Sequence, residues 1–121
     1  MTAALGVLGL LTVYLPARQG NVVHVQDMTV RLTAEPGAGG EHVVDLAIAI
    51  EPPPGKDATI EVIPTMPTHS NMGANSTQWW QAGESAYEAV ADLGMSGPWV
   101  VAVVIRRPGR EDAVARFRLN A

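Results

Sequence analysis

Trp99-Val100-Val101-Ala102-Val103-Val104-Ile105 is the most strongly β-like run in the chain. Trp99, Val101, Val103 and Ile105 fall on one face, and β-branched residues fill most of the run. Gly94-Met95-Ser96-Gly97-Pro98 precedes it and Pro108-Gly109-Arg110-Glu111 follows it, so turn chemistry bounds it on both sides. The same pattern repeats outward. Toward the C-terminus, Ala113, Ala115, Phe117 and Leu119 point inward and Arg116 and Arg118 outward. Toward the N-terminus, Ser85, Tyr87, Ala89, Ala91 and Leu93 alternate with Ala86, Glu88, Val90 and Asp92. Further back, Ala58, Ile60 and Val62 form one face of a strand, and so do Val44, Leu46, Ile48 and Ile50, and Met28, Val30, Leu32 and Ala34. Pro36-Gly37-Ala38-Gly39-Gly40 and Pro52-Pro53-Pro54-Gly55 separate these segments. About seven short strands between Gly/Pro turns, with no internal helix, predict an all-β fold: an immunoglobulin-like antiparallel β-sandwich.

A chain of 121 residues has room for one such core. With 47% apolar and 17% charged residues, the body of the chain is too apolar for disorder. The net charge of −4 argues against a nucleic-acid surface, which would need a clustered basic face. There is no cysteine, which removes disulfides, thiolate zinc sites and thiol nucleophiles together.

Residues 2–16 (TAALGVLGLLTVYLP) form an uncharged apolar run, followed by Arg18, Gln19 and Gly20. The run is shorter than the roughly 20 residues of a full membrane span. It also lacks a basic n-region and an A-x-A cleavage site. A short anchor, an atypical signal segment and the remnant of a longer membrane region all fit it. A buried helix fits less well, because no polar face interrupts the run. The division expected is a membrane-associated segment at 1–20 and a sandwich at 21–121, outside the cytoplasm.

The chemistry in the sequence is concentrated in Met66-Pro67-Thr68-His69-Ser70-Asn71-Met72. Two thioethers and an imidazole within one short segment suit monovalent copper better than magnesium or calcium. The segment falls in a loop from Pro64 to about Thr77. Loops of a sandwich alternate between its two ends. If Gln78-Trp79-Trp80-Gln81 crosses the sheet as a short strand, the 36–40, 66–72 and 94–97 turns share one end, and Met95 and His42 come near His69. If it does not, Met95 falls at the opposite end. The competing reading has Met66 and Met95 as core gap-fillers and His69 bonded to backbone carbonyls.

Met66-Pro67-Thr68-His69, then Gly83 with Tyr87, then Leu93-Gly94-Met95-Ser96-Gly97-Pro98-Trp99 resembles, in that order, the YtkA-like family and more loosely its FixH-like relatives. The resemblance runs from about Val25 to the C-terminus. It implies a small extracytoplasmic β-sandwich on the periplasmic side, often membrane-tethered, associated with copper handling or oxidase assembly. The family's Met-Pro-x-His falls on Met66, Pro67 and His69, and its second Met on Met95. The sequence departs from the family pattern at Ser70 and Asn71, which intervene before Met72, and in a longer Gly83-to-Tyr87 spacing.

These readings give Met66, His69, Met72 and Met95 as candidate ligands for copper, as Cu(I). The expected partners are a membrane, through the N-terminal segment, and a membrane protein complex or copper-delivery partner. Neither a nucleophile elbow, a zincin motif, a P-loop nor a dinucleotide fingerprint is present, so no enzyme activity is expected. The alternative function is a metal-free accessory module docking through Trp79-Trp80, one expected buried and one exposed because neighbouring strand residues point to opposite faces. Arg106, Arg107, Arg110, Arg116 and Arg118 concentrate positive charge near the C-terminus, as on a solvated face. His24 falls near the linker, and Asn75-Ser76-Thr77 matches the glycosylation sequon.

Overall fold

The computed structural model describes residues 19–121. The apolar run and its reading as a membrane anchor lie outside the described residues. Among the described residues, no helix is long and apolar enough to cross a membrane.

Nine strands follow one another: β1 (Gln19–Val25), β2 (Met28–Pro36), β3 (Val43–Glu51), β4 (Thr59–Met66), β5 (Met72–Gly73), β6 (Ser76–Gln81), β7 (Ala86–Asp92), β8 (Pro98–Arg106) and β9 (Ala113–Asn120). They form two antiparallel sheets, ordered β1-β2-β3-β7-β6 and β5-β4-β8-β9. The fold is an all-β sandwich. Two of its strands, β1 and the two-residue β5, are additional to those expected from the sequence.

The alternation explains how the sheets close on each other. Met28, Val30, Leu32 and Ala34 on β2 and Val44, Leu46, Ile48 and Ile50 on β3 are buried. Trp99, Val101, Val103 and Ile105 on β8 face them, flanked by Ala113, Ala115, Phe117 and Leu119 on β9. Burying a large apolar side chain such as Phe117 contributes about 1.5–3 kcal/mol, so this interior dominates stability. A one-residue slip in any of these strands would turn its apolar face to water, which fixes the register.

Three features differ from the sequence reading. First, β1 takes in Gln19 and Gly20, and His24 belongs to the sheet rather than to a linker. The His24 Nδ1 lies 3.1 Å from the Thr29 hydroxyl. Second, β4 runs through Pro64 to Met66, with Val62, Pro64 and Met66 all buried. Pro64 pairs with Val101 of β8, while β5 pairs β4 only at Thr65 and Met66. A proline is tolerated there because β4 is an edge strand over most of its length. Third, the tryptophans are not divided into one buried and one exposed: Trp79 is 38% and Trp80 44% exposed. They do point to opposite faces, since Trp79 pairs with buried Ala89 and Trp80 with exposed Glu88. Because β6 is the edge strand, however, the inward indole lies at the lip of the sandwich.

That lip is closed by a hydrogen bond. The Trp79 indole N–H donates to the Ile60 carbonyl of the opposite sheet at 2.9 Å. On the other side, the Asn21 side-chain amide donates to the Arg118 carbonyl at 3.3 Å, joining β1 to β9.

Candidate metal centre

Strand β6 does cross the sheet: it pairs with β7 from Ser76↔Asp92 to Gln81↔Tyr87. Residues 37–42, 67–75 and 93–97 therefore lie at one end of the sandwich. Hydrogen bonds and close packing join these loops. The Leu93 N–H donates to the His42 carbonyl at 3.0 Å, and the Asn75 N–H to the Asp92 carbonyl at 2.8 Å. Asn75 also packs against Gly94: a Cβ on Gly94 would come within 2.6 Å of its Nδ2. Gly94 has φ +81°, so both conformation and space require glycine.

The four expected ligands occupy different environments within this end. Met66, the last residue of β4, is fully buried. Its Cε would lie 3.2 Å from a Cβ on Gly97, so the thioether packs on the turn that carries Met95. Met95 is half-buried against the core, and its carbonyl accepts the Trp99 indole N–H at 3.1 Å. Its backbone is thereby fixed. Met72, 40% exposed, is the first residue of β5 and sits directly opposite Met66 in the antiparallel pair. Directly opposed residues have Cα atoms about 4.5–5.5 Å apart and side chains on one face.

His69 ends a single 3-10 turn, Pro67–His69, and is exposed. Its Nδ1 lies 3.2 Å from the Thr68 hydroxyl. Ser70 and Asn71 follow with φ +57° and +58°, two consecutive left-handed residues. That is the backbone of a type I′ turn, with His69 first and Met72 last. Such a turn holds its first and last Cα atoms within about 7 Å. Ser70 and Asn71 are therefore the residues that fold Met72 back toward His69. Met72 is the hub: it lies across a ladder from Met66 and across a tight turn from His69.

Charge is sparse within these loops, with Glu35, Asp45 and Asp92 at the strand ends beside them. Among residues 37–42, 67–75 and 93–97, Glu41 is the one carboxylate, and no lysine or arginine occurs. Glu41 lies 3.6 Å from the neighbouring half-buried His42. Among the described residues, no three His, Cys, Asp or Glu side chains converge. A metal held here would rest on neutral thioether and imidazole donors, a set that fits a soft monovalent ion.

Sequence reasoning missed the pairing of Met66 with Met72. The continued alternation Val62-Pro64-Met66 carried a signal for it, obscured by the proline. Comparison with protein-family models, curated proteins and solved structures returned no match for the chain.

Proposed function

We propose that the chain is an extracytoplasmic, membrane-tethered copper-binding domain without enzymatic activity, built on an immunoglobulin-like sandwich. The order β2-β3-β7-β6 against β4-β8-β9 follows the constant-type immunoglobulin arrangement and supports this reading of the fold. On this reading β1 is added outside the first strand and β5 outside the third. The resemblance to YtkA-like proteins, through Met66, Pro67, His69 and Met95, supports copper handling on the periplasmic side. The uncharged run at 2–16 supports the tether.

One observation carries the site: Met72 stands opposite Met66 across the β4–β5 pair and closes a tight turn with His69. His69 and Met72 are the accessible donors, Met95 adds a third from the neighbouring turn, and Met66 forms the floor. Cu(I) is the ion of choice, because all four donors are neutral and three of them are soft thioethers. Anaerobic purification followed by metal analysis tests the reading. One tightly held copper per chain is expected, and His69→Ala should lose cuprous ion to a chromogenic chelator that the parent chain resists. No retained copper, together with unchanged competition, contradicts it.

A second reading, a metal-free accessory subunit, draws on Trp79 and Trp80. Both are substantially exposed on the edge strand β6, where an extended partner segment could pair. Co-purification of a membrane complex with a copper-free chain would favour it.

A further inference from the structure

The five C-terminal arginines form two groups. Arg106 pairs with Glu61 at 3.0 Å and Asp112 at 3.2 Å, and Arg107 and Arg110 pair with Asp27 at 2.7 and 3.3 Å. Arg116 and Arg118 pair with no carboxylate among the described residues. Both are exposed on the outer face of the four-stranded sheet. Beside them lie Val100, Ala102 and Ile63, set by the registers Ile63↔Ala102↔Arg116 and Thr65↔Val100↔Arg118. Ile63 is among the few large apolar side chains left exposed. Carboxylate partners engage the first group, whereas the second presents open guanidinium groups around an apolar strip.

The opposite outer face has the reverse sign. On the five-stranded sheet Glu35, Asp45, Glu51, Glu88 and Asp92 point outward, against Arg31 alone among cations. Glu35 and Asp45 are even direct cross-strand neighbours. Although the chain is net acidic, its four-stranded face is cationic. The chain enters at the edge between the two sheets, at the end bearing the 37–42 turn. There β1 belongs to the five-stranded sheet, its Gln19 pairs with Ala34, and its Asn21 bonds to the Arg118 carbonyl of β9, with the apolar run and Arg18 immediately before β1 in the sequence.

We propose that the outer face of the four-stranded sheet lies on an anionic lipid surface, with Arg116 and Arg118 among the headgroups and Ile63 at their boundary. This rests on the membrane-tethered reading above and adds the orientation of the domain. The acidic sheet then faces away from the bilayer, and the end bearing His69 and Met72 opens sideways along the membrane. Each arginine near an anionic surface favours contact by roughly fivefold, so the pair biases orientation on the order of twenty-five-fold.

The absence of cysteine allows single-site labelling of the full chain. Ile63→Cys marks the cationic face and Ala47→Cys the acidic one. Each labelled chain is reconstituted into vesicles of phosphatidylcholine with or without phosphatidylglycerol and quenched by a headgroup nitroxide lipid. In the anionic vesicles the probe at 63 should be quenched several-fold more than the probe at 47. Arg116→Glu with Arg118→Glu should abolish the difference, as should omitting phosphatidylglycerol. Equal quenching in a chain that floats with the vesicles overturns the orientation and leaves the tether standing. A chain that does not float overturns both. Association of chains in solution that the same charge reversal abolishes would assign the face to a second copy and overturn the lipid reading.

Discussion

The two ends of the sandwich are built from different chemistry. At one end, residues 37–42, 67–75 and 93–97 carry a single carboxylate and are joined by backbone hydrogen bonds, glycine close approaches and a methionine floor. At the other end, Asp27 accepts hydrogen bonds from Arg107 at 2.7 Å and Arg110 at 3.3 Å. Gln26 there donates to the Glu111 carbonyl at 3.1 Å and accepts from Arg107 at 2.7 Å. This second end locks the β1–β2 turn to the β8–β9 turn with charge-assisted bonds, which are directional and strong for their size. The difference lies in what each end offers a ligand. At the charged end the polar side chains are engaged with one another, whereas the loops of the charge-poor end carry thioethers and imidazoles, donors that select soft ions over hard ones.

The largest expected effect comes from the floor of the charge-poor end. Met66→Ala should cost about 2–5 kcal/mol in urea denaturation, because the side chain is fully buried. Met66→Leu, which keeps the volume, should cost less than about 1.5 kcal/mol. A mild effect of Met66→Ala would mean that this end is not held by its core.

Next in size is Gly97→Ala, at about 1–3 kcal/mol. The residue has φ +127°, and the added Cβ would meet the Met66 methyl at 3.2 Å. A stability unchanged by this substitution would remove the link between Met66 and the Met95 turn.

Asp27→Asn tests the charged end and should have a smaller effect with a pH signature. The hydrogen bonds from Arg107 hold the Asp27 carboxyl below its ordinary range, with the Arg107 and Arg110 charges adding to this. A carboxylate depressed in the folded state stabilises above the unfolded-state pKa, and that stability is lost as pH falls through the folded value. The parent chain should therefore exceed Asp27→Asn at neutral pH in denaturant midpoint, with the two converging in acid. A difference that persists in acid would contradict the charge clamp.

Much of the fold is legible in the sequence for a simple reason: where one face of a strand is buried, alternation records it directly. The stretches 28–34, 44–50, 99–105 and 113–119 behave this way. Strand β1 escapes notice because its inward positions include polar Asn21, and because the turn into β2 uses Gln26 at φ +54° without a glycine to mark it. The candidate site was legible in composition and not in geometry. Met66, His69 and Met72 stand out as residue types, but the two-residue strand that sets Met72 against Met66 is defined by its partner in space. The contrast between the ends is likewise invisible until topology assigns each loop to one of them.

The most direct test uses a residue whose loss the fold should barely notice. Met72 is exposed, so Met72→Leu should change stability by no more than about 0.5 kcal/mol. In an anaerobic competition titration against a chromogenic cuprous chelator, the parent chain is expected to retain one Cu(I) and Met72→Leu to bind it at least about tenfold more weakly, a loss of about 1.4 kcal/mol. Equal cuprous affinity in the two chains would contradict the account that this end of the sandwich holds copper through Met72.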